Sequence, residues 1–477
     1  MKILWIDLNS SYAHASLALP AIHAQIKGNP DIEWEIVSCT INENIGMIVK
    51  NAAKCKPDII AATAWLFNKE ILLHIICRLK ALLPDSKVIL GGPEFLGNNK
   101  DFLLSTPFDC VFRGEGEENV PLWLQIWDKP EKWNMIEGIC FLDSQKQYID
   151  KGIARVQYFE KLIPPEESKF FNWEKPFVQL ETTRGCFNTC AFCVSGGEKP
   201  VRTINTEQIR KRLQIIQQHK IKNVRILDRT FNYNNKRALE LLKLFREFSG
   251  IRFHLEIHPA LLTNELKTAL ADMPTGCLHL EAGIQSLHEN VLMQSRRSGD
   301  LQRSLEGLRY LCSLTNMETH ADLIAGLPLY KLGQIFEDIH VLAHFGAGEI
   351  QLESLKVLPG TEMRKRAEEW GIRYSPYPPY EVLETNEITT EELQYARHLS
   401  RLLDGYYNTP VWQKITRQLI LSESGFLKSF LNFLIASDVI DKPLSIEKRG
   451  LLLYDFCKQV YPEYTVHVSV AWIIAGL

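Results

Sequence analysis

Along the first 145 residues, short apolar runs alternate with segments whose apolar residues recur at i, i+3 and i+4. The runs fall at 2–8, 32–39, 58–66, 87–92 and 109–114, and 69–83 is one of the helix-length segments between them. Near-continuous apolar strands separated by helices predict a parallel sheet covered on both faces, a doubly wound, Rossmann-like unit over 1–149. Residues 150–176 lose the periodicity and hold Pro164, Pro165 and Pro176, which predicts a linker. From 177 the alternation restarts, with strands at 177–183, 223–228, 252–258, 277–284, 319–327 and 349–358 and helices such as 206–220 and 235–248. Six strand–helix units predict an α/β partial barrel of TIM type over 177–372 rather than a closed eight-fold one. A Pro- and Tyr-rich stretch, 374–380, then opens a run of amphipathic patterns that predicts a small helical unit over 373–477.

The chain has 477 residues, 45% of them hydrophobic, which excludes a disordered or low-complexity protein. Lys and Arg number 54 against 57 Asp and Glu, so there is no basic excess for gripping a nucleic-acid backbone. The first residues carry too short an apolar run for a signal peptide, and no segment reaches the ~18 uninterrupted apolar residues of a membrane span. The apolar tail 468–477 reads as a buried helix or strand. The expectation is a cytoplasmic protein, with only peripheral membrane contact left open.

In sheets of this kind ligands sit at the carboxyl ends of the strands. There the first unit places Gly91-Gly92-Pro93-Glu94 and Arg113-Gly114-Glu115-Gly116-Glu117. These glycines admit backbone amides close to a ligand phosphate, or they make tight turns. No GxGxxG occurs, so a nicotinamide dinucleotide is not indicated. Of eleven cysteines, eight stand singly and read as small buried hydrophobes. The other three, Cys186, Cys190 and Cys193, form a CxxxCxxC loop just past the first barrel strand. Structural zinc takes four ligands, often as two CxxC pairs, and no second pair follows. Three thiolates from one short loop suit a four-iron cluster with one iron left without a protein ligand, whereas ordinary electron-transfer clusters use four cysteines.

This loop resembles the signature of the radical S-adenosylmethionine (radical SAM) superfamily. By that resemblance Cys186, Cys190 and Cys193 hold a [4Fe-4S] cluster and Phe192 lies beside the adenine. Asp228, in Asp228-Arg229-Thr230, falls where the family binds the methionyl amino group, although the common Gly-Gly-Glu form is missing. Glu256, Gln285 and Asp322, at the ends of the third, fourth and fifth barrel strands, would hold the ribose and nearby polar atoms, and Arg297 the carboxylate. A strand-end Asp also suits a helix cap, and Arg297 beside Arg296 also suits a solvated helix; arrival at successive strand ends of one barrel favours a shared role. A doubly wound unit ahead of such a barrel resembles the cobalamin-binding branch. Ser10, Tyr12, Thr63, Gly91, Gly92, Pro93, Glu94, Gly114, Glu115 and Gly116 would then line the cobalamin. The Asp-x-His-x-x-Gly source of a cobalt-binding histidine is absent, and His14 is read as a non-ligand. The helical carboxyl-terminal part resembles an uncharacterised extension found in one subgroup.

The resemblance implies reductive cleavage of S-adenosylmethionine to a 5′-deoxyadenosyl radical, fed by an electron donor such as flavodoxin or ferredoxin. Methyl transfer through cobalamin to an unactivated carbon of a small-molecule, lipid or peptide substrate would follow. A methylthiotransferase would need a second three-Cys cluster in the first unit, where Cys39, Cys55, Cys77, Cys110 and Cys140 are dispersed. The same residues also suit cobalamin-assisted rearrangement or cyclisation without methyl transfer, and, outside enzymology, an iron–sulfur sensor or binding module.

Overall fold

The computed structural model describes residues 1–297 and 299–476. Its first sheet has seven strands: β1 (Lys2–Asn9), β2 (Glu33–Thr40), β3 (Ile59–Thr63), β4 (Lys87–Gly91), β5 (Cys110–Phe112), β6 (Ile139–Leu142) and β7 (Tyr148–Asp150). They run in the order β2-β1-β3-β4-β5-β6-β7. The five strands expected from the apolar runs are parallel; β6 and β7 add an antiparallel edge that the pattern did not predict. A hairpin needs only a short turn, whereas a parallel strand needs a long crossover. Here the turn is built on Asp143, whose Oδ1 accepts from the backbone N–H of Gln145 (2.9 Å) and Gln147 (2.8 Å). One face of the sheet packs on Leu72, Ile75, Ile76 and Leu79 of the helix Lys69–Leu82, the other on Trp123 and Trp133.

The second sheet contains β8 (Val178–Leu180), β11 (Asn223–Ile226), β12 (Arg252–Glu256), β13 (Leu278–Gln285), β14 (Glu318–Ala325) and β15 (Glu349–Ser354), all parallel in the order β15-β14-β13-β12-β11-β8. Between β8 and β11 lie β9 (Thr183–Arg184) and β10 (Arg202–Thr203), a short antiparallel pair. Successive side chains of a strand point to opposite faces. Leu278, Leu280, Ala282 and Ile284 of β13 pack outward against the helices, so His279, Glu281, Gly283 and Gln285 face the lumen. On β12, Phe253 and Leu255 pack outward while His254 and Glu256 face inward. The result is an open barrel with an apolar jacket and a polar interior.

The carboxyl-terminal helices share the barrel's hydrophobic core: Leu399, Leu402 and Trp412 belong to the same cluster as Ile350 and Leu352 of β15. They also cover the free edge of β15. Asn408 accepts from the N–H of Ile350 and donates to its carbonyl, both at 2.9 Å, pairing backbone groups that would otherwise offer an open edge. The tail is a helix, Thr465–Ile474, but only Val468 is buried; Ile473 and Ile474 are 75% and 81% exposed, so the expected burial does not occur. Leu477 of that segment lies outside the described residues. Of the eight single cysteines, five are buried, Cys55 and Cys312 are half-buried, and Cys77 is exposed on its helix, against expectation. No described helix is long and apolar enough to cross a membrane.

Candidate active site at the barrel mouth

The cysteine loop leaves β9 and returns at β10, so the antiparallel pair closes its base. Within the loop the chain folds on itself. Cys186 donates its N–H to the Glu198 carbonyl (3.0 Å), Cys193 to Cys190 (3.2 Å) and Gly197 to Asn188 (2.7 Å). A Cβ on Gly196 would stand 2.5 Å from the Cys190 carbonyl oxygen, so this turn tolerates only glycine. The loop is pinned from outside as well: Ala191 donates to Ser295 (2.9 Å) and accepts from Met363 (2.8 Å). Cys186 and Cys190 are buried and Cys193 is half-buried. Burial pushes the Cys190 and Cys193 thiols up, partly offset by Arg297 at Cys190 and by the Ser195 backbone and Arg229 at Cys193. The thiols sense one another's charge, yet among the described residues they are not a group that closes on one metal ion.

Beside the loop, four of the residues expected around S-adenosylmethionine border the same lumen. Arg297 donates from Nη1 to Cys190 Sγ (3.6 Å) and from Nη2 to the Gly283 carbonyl. A Cβ on Gly283 would sit 2.6 Å from Gln285 Nε2, 3.8 Å from Arg297 Nη2 and 3.8 Å from Asp322 Oδ2. A bare glycine thus forms a wall on which Gln285, Arg297 and Asp322 converge. Gln285 adopts a left-handed φ of 72° where the register of β13 shifts, and its Oε1 is buried without a partner, as for a ligand hydrogen bond. Glu256 lies nearby. Burial pushes its carboxyl up to about 7, Arg229 opposing and Glu281 and Asp322 reinforcing. Phe192 packs half-buried against the barrel core. Asp228 does not join them. It is 1% exposed, its Oδ1 accepts from the N–H of Thr182 and of Thr183 (both 2.8 Å), and its Oδ2 accepts from the Thr182 hydroxyl. Its oxygens are occupied, and it fastens the strand end from which the cysteine loop springs.

The first sheet presents its carboxyl ends to this mouth. Glu115, after β5, grips Arg202 through both oxygens (2.6 and 2.8 Å) and accepts from Val156 N–H (2.7 Å); Glu117 meets Arg184 at 2.6 Å. Arg184 and Arg202 end β9 and begin β10, so these carboxylates clamp the base of the cysteine loop. Glu94, after β4, is buried between Lys69 (3.0 Å) and the Tyr380 hydroxyl (2.5 Å). Glu94 and Glu115 are therefore spent on holding parts of the chain together and are not free to line a cofactor. Gly92 and Gly114, at φ of 109° and 91°, admit the backbone oxygens of Ala64 and Ala154, which a Cβ would meet at 2.5 and 2.2 Å. The tight-turn reading holds for these two glycines. Gly116 packs on Val120 and Ile22. Ser10 and Thr63 are half-buried and Tyr12 is 71% exposed at the same edge, beside Gly91 and Pro93. His14 is held by Ser11 (2.9 Å) and lies edge-on to Phe177.

A family model for the radical SAM superfamily matches residues 180–341, and a model for a protein family of unknown function matches residues 368–468. Over residues 180–341 the chain is similar to the radical SAM superfamily. Among curated proteins it is 25% identical to an uncharacterized methyltransferase, PH0819, of Pyrococcus horikoshii over 80% of this chain and 84% of that one. It is 21% identical to the cobalamin-dependent radical SAM methyltransferase TokK of Streptomyces tokunonensis over 68% of this chain and 51% of that one. Among solved structures, the cobalamin-dependent S-adenosylmethionine radical enzyme OxsB, with aqua-cobalamin and S-adenosylmethionine bound, superposes with a TM-score of 0.69 at 15% identity, covering 99% of this chain and 81% of that one. That likeness shows that the arrangement of sheet, barrel and helices is shared.

Two further features lie inside the barrel. Arg229, adjacent to Asp228, lowers the proton affinity of both Cys193 and Glu256, so it is a second cation at the mouth beside Arg297. Below the mouth, His254 pairs with Glu281 (2.7 Å) and His320 with Asp322 (2.6 Å). Burial opposes charging of His320, but Asp322, Glu281 and Glu349 push it up to about 9. The period-2 alternation of charged residues along β12, β13 and β14 was the available signal; what it lacked was which face turns inward.

Proposed function

We propose that the chain is a cobalamin-dependent radical SAM methyltransferase acting on an unactivated carbon of a small-molecule, lipid or peptide substrate. In this reading 1–149 is the cobalamin unit, 150–176 the linker, 177–372 the radical barrel and 373–477 a helical unit that seals the barrel edge. The observation that carries it is the attachment of the first sheet's carboxyl ends, through Glu115 and Glu117, to the base of the cysteine loop. When bound, the cluster and cobalamin would supply the electron that opens S-adenosylmethionine and the methyl group that is transferred.

The chain's own residues orient and enclose. Cys186, Cys190 and Cys193 would hold three irons, leaving one for the amino and carboxylate groups of S-adenosylmethionine. Arg297, a planar cation fixed against Gly283, would pair the carboxylate, and Arg229 would offset charge near Cys193. Gln285 Oε1, buried and unpaired, would accept from the nucleoside, with Glu256 and Asp322 on the ribose side and Phe192 against the adenine. Ser10, Tyr12, Thr63, Gly91 and Pro93 remain to line cobalamin. The clamp and the covered barrel edge exclude water from the space between.

The test is retention of hydroxocobalamin. Full-length protein expressed with it is expected to keep about one equivalent through gel filtration, and a substrate then gains one CH₂ by mass. Loss of cobalamin on the column defeats the methylation reading and leaves the radical one standing. A product of unchanged mass marks rearrangement instead. The chain is also 24% identical to the methylthiotransferase RimO of Clostridium tetani, over 67% of this chain. The cysteines of the first unit, Cys39, Cys55, Cys77, Cys110 and Cys140, belong to five different segments.

A further inference from the structure

At the opposite end of the barrel lumen, near the amino ends of the strands, His279 of β13, His320 of β14 and Glu349 of β15 converge. One ligand atom from each lies within 4.8 Å of the others. His279 precedes Gly283 by four residues along β13, which at ~3.3 Å per residue puts this group about 13 Å from the mouth. It is therefore apart from the cysteine loop, while Asp322, 2.6 Å from His320, links it to the residues gathered round Gly283.

We propose that His279, His320 and Glu349 bind one divalent transition-metal ion of the zinc or ferrous class. Two imidazoles and a carboxylate are the donor set such ions take, and the imidazoles select against calcium and magnesium. Both histidines are oriented as ligands are. Asp322 stands 2.6 Å from Nε2 of His320, which leaves Nδ1 for the ion; Glu318, 3.3 Å from Nδ1 of His279, can accept its proton and so leave Nε2, with Arg252 held by the same carboxylate. An outer carboxylate that fixes an imidazole in this way recurs at metal centres. The carboxylates of Glu281, Asp322 and Glu349 all face His320, so the locus is negative, while Arg252 is neutralised by Glu318 (2.5 Å). Entry is open from below: the Arg252 and Glu318 side chains are 42% and 67% exposed. Three protein ligands leave at least one position for water or another small ligand.

The test uses full-length protein freed of loose metal with a chelator, then titrated with Zn²⁺ by calorimetry and with Co²⁺ by absorption spectroscopy. The proposal expects one equivalent bound at this site, with Co²⁺ d–d bands. It expects unchanged stoichiometry at this site in Cys186→Ala and at least about 100-fold weaker binding in His279→Gln and Glu349→Gln. Zn²⁺ at 100 times its Kd should raise the melting temperature of the wild type by about 5–11 °C. If either variant fails to fold, the wild-type Co²⁺ spectrum decides. Absence of binding, unchanged affinity in both variants, or Co²⁺ seen only with sulfur-to-metal charge transfer overturns the proposal. The Cys186→Ala arm keeps this outcome separate from that of the cluster.

Discussion

Asp228 is the residue at which two readings of the site part most sharply. Its carboxylate accepts from two backbone N–H groups and one hydroxyl, all at the Thr182–Thr183 strand end. Burial pushes its carboxyl up, only partly countered by those hydrogen bonds, so its value is as an acceptor more than as a charge. Asp228→Ala would orphan three buried donors at about 1–3 kcal/mol each, not fully additive, for a loss of about 3–5 kcal/mol. At about 2–4 °C per kcal/mol for a unit of this size, melting falls by about 6–20 °C. Asp228→Asn keeps the Oδ1 acceptor for both N–H groups and removes a desolvated charge, so about 1 kcal/mol is lost. Thermal unfolding with anaerobic iron analysis reads both effects: Asp228→Ala is expected to lose stability and cluster iron together, Asp228→Asn to keep both. The reasoning is refuted if Asp228→Ala melts within about 2 °C of wild type, below the smallest shift expected. It is equally refuted if Asp228→Asn keeps full stability yet loses S-adenosylmethionine binding, which is what a direct contact to the methionyl amino group would give.

Other perturbations probe the same account. Glu256 titrates near 7 in the folded chain against 4.5 unfolded. Its neutral form therefore stabilises the apo fold fully below pH 4.5, and that contribution disappears as pH rises through about 7. Melting of the wild type should fall between pH 5 and 8 by the equivalent of about 2–4 kcal/mol more than that of Glu256→Gln. Gly196→Ala forces a Cβ to within 2.5 Å of the Cys190 carbonyl and should abolish cluster assembly, whereas Gly250→Ala, which meets nothing within 4 Å, should leave iron content unchanged. Arg297→Ala should weaken S-adenosylmethionine binding about 10–100-fold, the loss of about 1.4–2.8 kcal/mol expected for hydrogen bonds to a charged group, with Arg297→Lys recovering only part of it.

Much of the architecture was legible because buried parallel strands and amphipathic helices differ in period. The six barrel strands, the five parallel strands of the first sheet and the cysteine loop all follow from local pattern. β6 and β7 did not, since four- and three-residue strands around a polar turn leave almost no periodic trace. In the site, Gln285 was found at a strand end and Arg297 from the resemblance, but Gly283 was not, because its contribution is an absent side chain. The Glu115 and Glu94 assignments failed for a different reason. Their partners Arg202 and Tyr380 lie 87 and 286 residues away, and spacing along a chain carries no information about such pairs. The Arg-Gly-Glu-Gly-Glu turn reads the same whether its carboxylates meet a cofactor or an arginine.

The central claim is that three cysteines hold a four-iron cluster whose remaining iron takes S-adenosylmethionine. Mössbauer spectroscopy of the anaerobically reconstituted, ⁵⁷Fe-labelled chain, with and without S-adenosylmethionine, tests it most directly. The account predicts a four-iron cluster in which one iron differs from the other three and changes its parameters when S-adenosylmethionine is added, with the cluster lost in Cys186→Ala. Four irons indifferent to S-adenosylmethionine, or an iron-free chain with zinc on the same sulfurs, would contradict it.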